Sequence, residues 1–273
     1  MSGMTEQQRR LELRDRLYGE NDLSKLELFA GSYINFGYWR SVPANGPLTI
    51  EHRVVSEESL YRLVLEALEV QRGDRLLEVG CGLGRGTALA AEEYPAASIC
   101  GVDLLPVQVQ RAQQLNDTAL SAMPRRLSYQ VGSAEHLPFA DESLDGVYSV
   151  EAAQHFEDLA GFAREAFRVL ASGGRLSLAS FLLTDPGHAE ALAERLETFA
   201  QGIDLPHAVS ELLAELRAAG FTGVAERSIG SWVFPGFDRW LARTPHAGSW
   251  VREWLCTYRD GLIDYYLVTA RKD

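Results

Sequence analysis

The stretch Arg75-Leu-Leu-Glu-Val-Gly-Cys-Gly-Leu-Gly-Arg-Gly86 decides how this chain folds. Leu76, Leu77 and Val79 suit a strand buried on both faces, as in a parallel sheet covered by helices. Glu78 adds an acid at the end of that strand. Gly80, Gly82, Gly84 and Gly86 follow at alternate positions, where positive φ and close approach of a ligand to the main chain become possible. A strand-to-helix turn without a ligand needs fewer glycines, and each one costs entropy on folding. The loop therefore reads as a ligand cradle opening a helix.

Spacing narrows the ligand. A dinucleotide fingerprint needs G-x-G-x-x-G, but frames begun at Gly80, Gly82 and Gly84 put Arg85, Thr87 and Leu89 at the third glycine. An NAD-linked oxidoreductase, which would share the β-α-β unit, loses its main support. Ser98 to Asp103 reads as the next strand. Asp103 ends it, where one carboxylate can accept bonds from both hydroxyls of a ribose. Asp103 also suits the N-cap of a helix starting near Pro106.

Glu78-x-Gly80-x-Gly82-x-Gly84 resembles the E-x-G-x-G-x-G motif of class I S-adenosylmethionine-dependent methyltransferases. The resemblance implies that the loop packs against the methionine and ribose portions of the cofactor, and that the Glu78 carboxylate orders the loop and its waters. Val131 to Phe139, VGSAEHLPF, resembles the G-D-A-E-x-L-P-F segment that borders the adenine ring in small-molecule members. The family's Asp is Ser133 here, so the contact to the adenine amino group becomes neutral and weaker, or passes to a neighbour. The Ala134 N–H can still serve the ring. Leu104, Gln108 and Val150 complete the cofactor-binding set that the resemblance implies.

Leu144 to Phe156 reads as a strand and a short loop carrying a histidine, and resembles the E-S-x-x-H-[MF] signature of a group that includes sugar O-methyltransferases and tocopherol-like C-methyltransferases. In an open α/β sheet, ligands lie beyond the carboxyl ends of the strands, which puts Glu151 and His155 beside the cofactor as candidate catalytic residues. An imidazole with a pKa near ~6.5 suits removal of a hydroxyl proton; a histidine that shapes the pocket or caps the following helix is the alternative. Some sugar O-methyltransferases of this group pair that histidine with an Asp just before a Phe on strand five. This chain has Ser180 before Phe181, leaving His155 alone or with Glu151, Asp185 or a residue of the lid.

The lid itself is expected from two segments. Leu17-Tyr18-Gly-Glu and Ile34-Asn-Phe-Gly-Tyr-Trp39 resemble the pieces that cover the methionine end of the cofactor, with Gly19 and Asn35 in place of the usual Asp and His. Aromatic faces attract a sulfonium by about 0.5–2 kcal/mol, and Tyr18 is the foremost candidate for that role. A plain aromatic staple between arm and core is the alternative. Trp232, Phe234, Phe237, Trp240, Trp250, Trp254 and Tyr258 crowd the second segment, an apolar wall suited to a hydrophobic small molecule.

The expected fold is α/β: a Rossmann-like, doubly wound seven-stranded sheet, mostly parallel with an antiparallel last strand. Helical spacing is seen over Ser56–Val70, Pro106–Leu120 and Asp158–Leu170, and the closing strands are Val224–Ile229 and Asp264–Ala270. Residues 1–55 form an N-terminal arm, and residues 56–273 a methyltransferase domain with a lid insertion at about 182–222. With 26 Lys and Arg against 38 Asp and Glu, net charge −12 and no basic cluster, the chain fits neither nucleic acid nor anionic membranes. Three cysteines without metal-ligand spacing point to a reducing cytoplasm and no metal. The opening MSGMTEQQRR lacks an apolar region, so neither a leader nor a membrane-spanning run is expected. A homodimer is compatible with such a domain. The reading is methyl transfer from S-adenosylmethionine to a small, largely apolar natural-product acceptor, O-methylation with His155 as general base in front. N- or C-methylation, or a cofactor-retaining cyclase, is the alternative.

Overall fold

The computed structural model describes residues 5–20 and 22–273, Glu20 without its side chain; residues 1–4, part of the stretch read for a leader, lie outside the described residues. The arm begins with α1 (Glu6–Arg14) and a widened π-type turn, Asp15–Glu20. Then come α2 (Ile50–Ala67), β1 (Arg75–Val79), α3 (Arg85–Glu93), β2 (Ser98–Asp103), α4 (Pro106–Leu115), α5 (Asp117–Ala122), β3 (Leu127–Val131) and β4 (Leu144–Val150). The second half holds α6 (Leu159–Val169), β5 (Leu170–Leu183), α7 (Ala189–Arg195), α8 (Glu197–Ala200), α9 (Val209–Ala218), β6 (Thr222–Ser228), α10 (Phe234–Leu241), α11 (Glu253–Arg259) and β7 (Ile263–Arg271).

The sheet has seven strands in the order β3-β2-β1-β4-β5-β7-β6. Its first five are parallel, and β7 runs antiparallel to both β5 and β6, as expected. Strand order reverses between β1 and β4, so the crevice beyond their carboxyl ends is where a ligand belongs. The period of two in a strand sends Leu76 and Tyr148 into one hydrophobic layer and Leu77 and Val147 into the other. The first layer includes residues of α2, α3, α10 and α11; the second includes α6 and α9.

Local chemistry moves some boundaries. The second helix begins at Ile50 because Thr49 caps it: its hydroxyl accepts the His52 N–H, while the His52 ring accepts the Thr49 N–H. The helix expected over Pro106–Leu120 breaks at Asn116, whose amide donates to Ala112 O and to Leu83 O in the glycine loop. Residues 182–222 divide in two. The segment Pro186–Ala200 lies against α11, with Arg195 paired to Glu253 and Asp260, and the loop after it meets the arm where Arg14 donates to Ile203 O, whereas α9 buries Leu212 and Leu216 in the layer of α6 and is a crossover helix of the sheet. The segment between β6 and β7 meets the arm through Phe36, which stacks on Phe237 at 4.2 Å, and through Trp240, whose indole donates to Glu27 O.

Candidate active site

At the end of β1 the chain enters positive φ at Gly80, Gly82 and Gly84 (+78°, +51° and +69°). Gly80 and Cys81 both donate to the Val102 carbonyl at 2.9 Å, folding the loop onto β2. The glycines do different jobs. A Cβ on Gly84 would enter the Tyr129 ring and one on Gly86 the Tyr61 ring, whereas at Gly82 it would meet nothing within 4 Å. The first two permit packing, and the third leaves space for a ligand. Glu78 lies behind the loop, fully buried, accepting from the Thr87 hydroxyl at 2.5 Å and the Tyr148 hydroxyl at 3.2 Å. Burial pushes its carboxyl up to about 7. Alone among the expected cofactor residues it does not line the cavity; it braces the loop from the rear.

That cavity, about 540 Å³, opens beyond the carboxyl ends of β1, β2 and β4 under the arm, and Gly80, Gly82, Leu104, Ala134 and Val150 form part of its wall. Asp103 also lines it, accepting from Gly82 N at 2.9 Å and Leu105 N at 3.0 Å, one bond to each oxygen. Burial raises its carboxyl. Gln108, 3% exposed on the first turn of α4, has a buried Oε1 without a partner, an acceptor that needs a donor from a ligand. Ser133 donates to Glu135 and accepts the Glu135 N–H at 3.2 Å. Glu135, also on the wall, was missed in the sequence although it sits inside VGSAEHLPF. An open glycine, an unpaired amide oxygen and two carboxylates fit the donors of a ribose and an adenine.

His155 occupies the other end. Its Nδ1 stands 3.0 Å from the Ile203 carbonyl, which only accepts, so Nδ1 carries the proton and Nε2 is the acceptor. The Tyr18 hydroxyl donates to that Nε2 at 2.9 Å, with the two rings edge to face. Burial, with help from Arg14, holds the imidazole down to about 3, so the ring is neutral. Asp204 Oδ1 lies 3.3 Å from Nδ1, and burial pushes its carboxyl up to about 7. Arg14, from α1, donates to Ile203 O at 3.2 Å and to Glu157 at 3.1 Å.

Glu151 is not the partner of His155. Its Oε2 accepts the Phe36 N–H at 2.8 Å and the Tyr265 hydroxyl at 2.7 Å, so it ties the arm to β7, and burial pushes its carboxyl up to about 8. Ser180 turns its hydroxyl to Gln154 at 2.7 Å, and Asp185 caps Gly187 N at 2.8 Å away from the cavity wall. The apolar wall is made by Phe36, Phe181, Phe237, Trp250 and Trp254. Of the other aromatics expected there, Phe234, Trp240 and Tyr258 lie off the wall and Trp232 is 47% exposed beneath the Arg40 guanidinium.

The family described as "Methyltransferase domain" matches residues 77–178. The chain is 33% identical to an erythromycin 3''-O-methyltransferase of Saccharopolyspora erythraea, over 78% of this chain and 70% of that one. It is 31% identical to a 27-O-demethylrifamycin SV methyltransferase of Amycolatopsis mediterranei, over 84% and 76%. A crystal structure of geranyl diphosphate C-methyltransferase from Streptomyces coelicolor shares the fold along both full chains, with TM-score 0.79 and 17% identity. Identity above 30% across more than two thirds of two such relatives, on a sheet of this order with this glycine loop, places the chain among the class I S-adenosylmethionine-dependent methyltransferases that act on small molecules.

Proposed function

We propose that this methyltransferase acts on a hydroxyl of a largely apolar natural product, with His155 as general base. One observation carries the reading: the Ile203 carbonyl fixes the proton on Nδ1, which leaves Nε2 as a lone pair at the cavity. The stacked wall of Phe36, Phe181 and Phe237 suits an apolar scaffold, and the names of the two relatives support oxygen as the accepting atom. The bound cofactor supplies an electrophilic sulfonium methyl. Gly82, Asp103, Gln108, Ser133 and Glu135 hold its nucleoside part. Tyr18, over the His155 edge, gives up its bond to Nε2 when an acceptor hydroxyl arrives as donor. The arm keeps water out.

With the ring neutral at every working pH, the base needs no prior deprotonation. His155→Ala is expected to keep cofactor affinity and to slow turnover by about 10²–10⁴-fold, the worth of a positioned base. The assay is release of S-adenosylhomocysteine with erythromycin-type and rifamycin-type compounds carrying a free hydroxyl. Near-full turnover in His155→Ala would mean that positioning alone drives the transfer. Product formed without that release would favour a cyclase.

A further inference from the structure

We propose that Asp204 is the positioning carboxylate of the His155 base, delivered by the loop after α8 in place of an acid on β5. The inference rests on the reading of His155 as base. The β5 position is Ser180, fully buried and spent on Gln154. Asp204 is 4% exposed, with Oδ1 3.3 Å from Nδ1. Its neighbours stitch the loop to the histidine turn on both sides: Ile203 O accepts from Nδ1, and Leu205 N donates to Gln154 O at 2.9 Å.

The two neighbours of Nδ1 divide the work. The Ile203 carbonyl decides which ring nitrogen carries the proton, and Asp204 supplies charge. In the reaction the acceptor O–H bond breaks, the proton goes to Nε2, and the electron pair stays on oxygen as the nucleophile. The ring becomes imidazolium. Arg14 on α1 repels it, and Glu157 is already held by Arg10 and Arg14. Glu151 is tied to Phe36 and Tyr265, Tyr18 is a neutral hydroxyl, and His207 on the same loop binds Phe156 O. Asp204 is left as the counter-charge beside Nδ1, the arrangement by which a buried carboxylate steadies a catalytic histidine.

The test is nitrogen NMR of the histidine rings in the full chain with S-adenosylhomocysteine, titrated from acid to alkaline pH. The wild type should show His155 protonated on Nδ1 throughout, with its signals stepping near pH 7 as Asp204 ionises. Asp204→Asn should lose the step. In the S-adenosylhomocysteine-release assay with the same hydroxyl acceptors, Asp204→Asn should slow turnover by more than about tenfold but less than His155→Ala, and Asp204→Glu should recover part of it. No step in the wild type, or the same step in Asp204→Asn, overturns the proposal. A full rate in Asp204→Asn beside a crippled His155→Ala overturns it alone, whereas a full rate in His155→Ala overturns the base.

Discussion

One absent side chain sets the cofactor site. Gly82 combines φ +51° with open space where its Cβ would be, so Gly82→Val both strains the backbone and fills the cradle. Calorimetry should find no S-adenosylmethionine binding by that variant while its fold persists. Ser133 shows how the structure alters an expectation. From the motif alone, an Asp there would tighten the adenine contact. Glu135 already stands against the Ser133 hydroxyl, and a second carboxylate would repel it. Ser133→Asp should therefore weaken cofactor binding, and Ser133→Asp with Glu135→Gln should restore it; tighter binding by the single variant would show that Glu135 does not face the adenine. The placement of His155 and Asp103 at the cavity was legible because it follows from a place at a strand end. Asp204 was not, because its contact depends on how a loop 49 residues after His155 closes, which no local pattern encodes.

Among the elements, β2 was readable to the residue and β1 in outline, since buried strands carry mostly apolar residues closed by an acid or a glycine. The role of α9 was not: helical spacing says that a helix forms, not which layer it joins. The α2–α3 contact permits a direct test. Gly86→Ala would push a methyl into the Tyr61 ring and should destabilise the protein by roughly 1–3 kcal/mol, the cost of overpacking, read as a shift in the denaturation midpoint. The turn that carries Tyr18 is tied to α4 by Arg111. Arg111 donates to Tyr18 O at 2.8 Å and to Gly19 O at 2.5 Å. Arg111→Ala should release the turn that carries Tyr18, weaken cofactor binding by roughly tenfold, about 1.4 kcal/mol, and expose the arm to proteolysis. Unchanged affinity and protease resistance would leave the turn held by its other contacts.

At the scale of the molecule, the site concentrates buried acids. Glu78 and Asp204 are pushed up to about 7 and Glu151 to about 8, all above the ordinary carboxylate range near ~4. Between those values the folded chain holds protons that the unfolded chain has released, so these groups lose stability as pH rises from about 4 to 8. His155 works in the opposite sense: the unfolded ring gains a proton below about 6.5 and the folded ring, held down to about 3, does not, so that contribution fades on acidification. Above pH 6.5 only the carboxyls act, and the cofactor-free melting temperature should fall toward pH 8.5. Glu151→Gln should flatten that fall; a rise in the wild type, or equal slopes, would place those acids in water.

On the proposed mechanism a methyl group passes from the cofactor to oxygen at His155. The most direct measurement follows an isotope-labelled methyl group from S-adenosylmethionine into product by NMR, for the wild type and His155→Ala, with hydroxyl-bearing acceptors of the erythromycin and rifamycin type. The expected result is a labelled methyl ether, one S-adenosylhomocysteine per product, and a rate lower by about 10²–10⁴-fold in the variant. Label on carbon or nitrogen, product without label, or equal rates in the two proteins would contradict it.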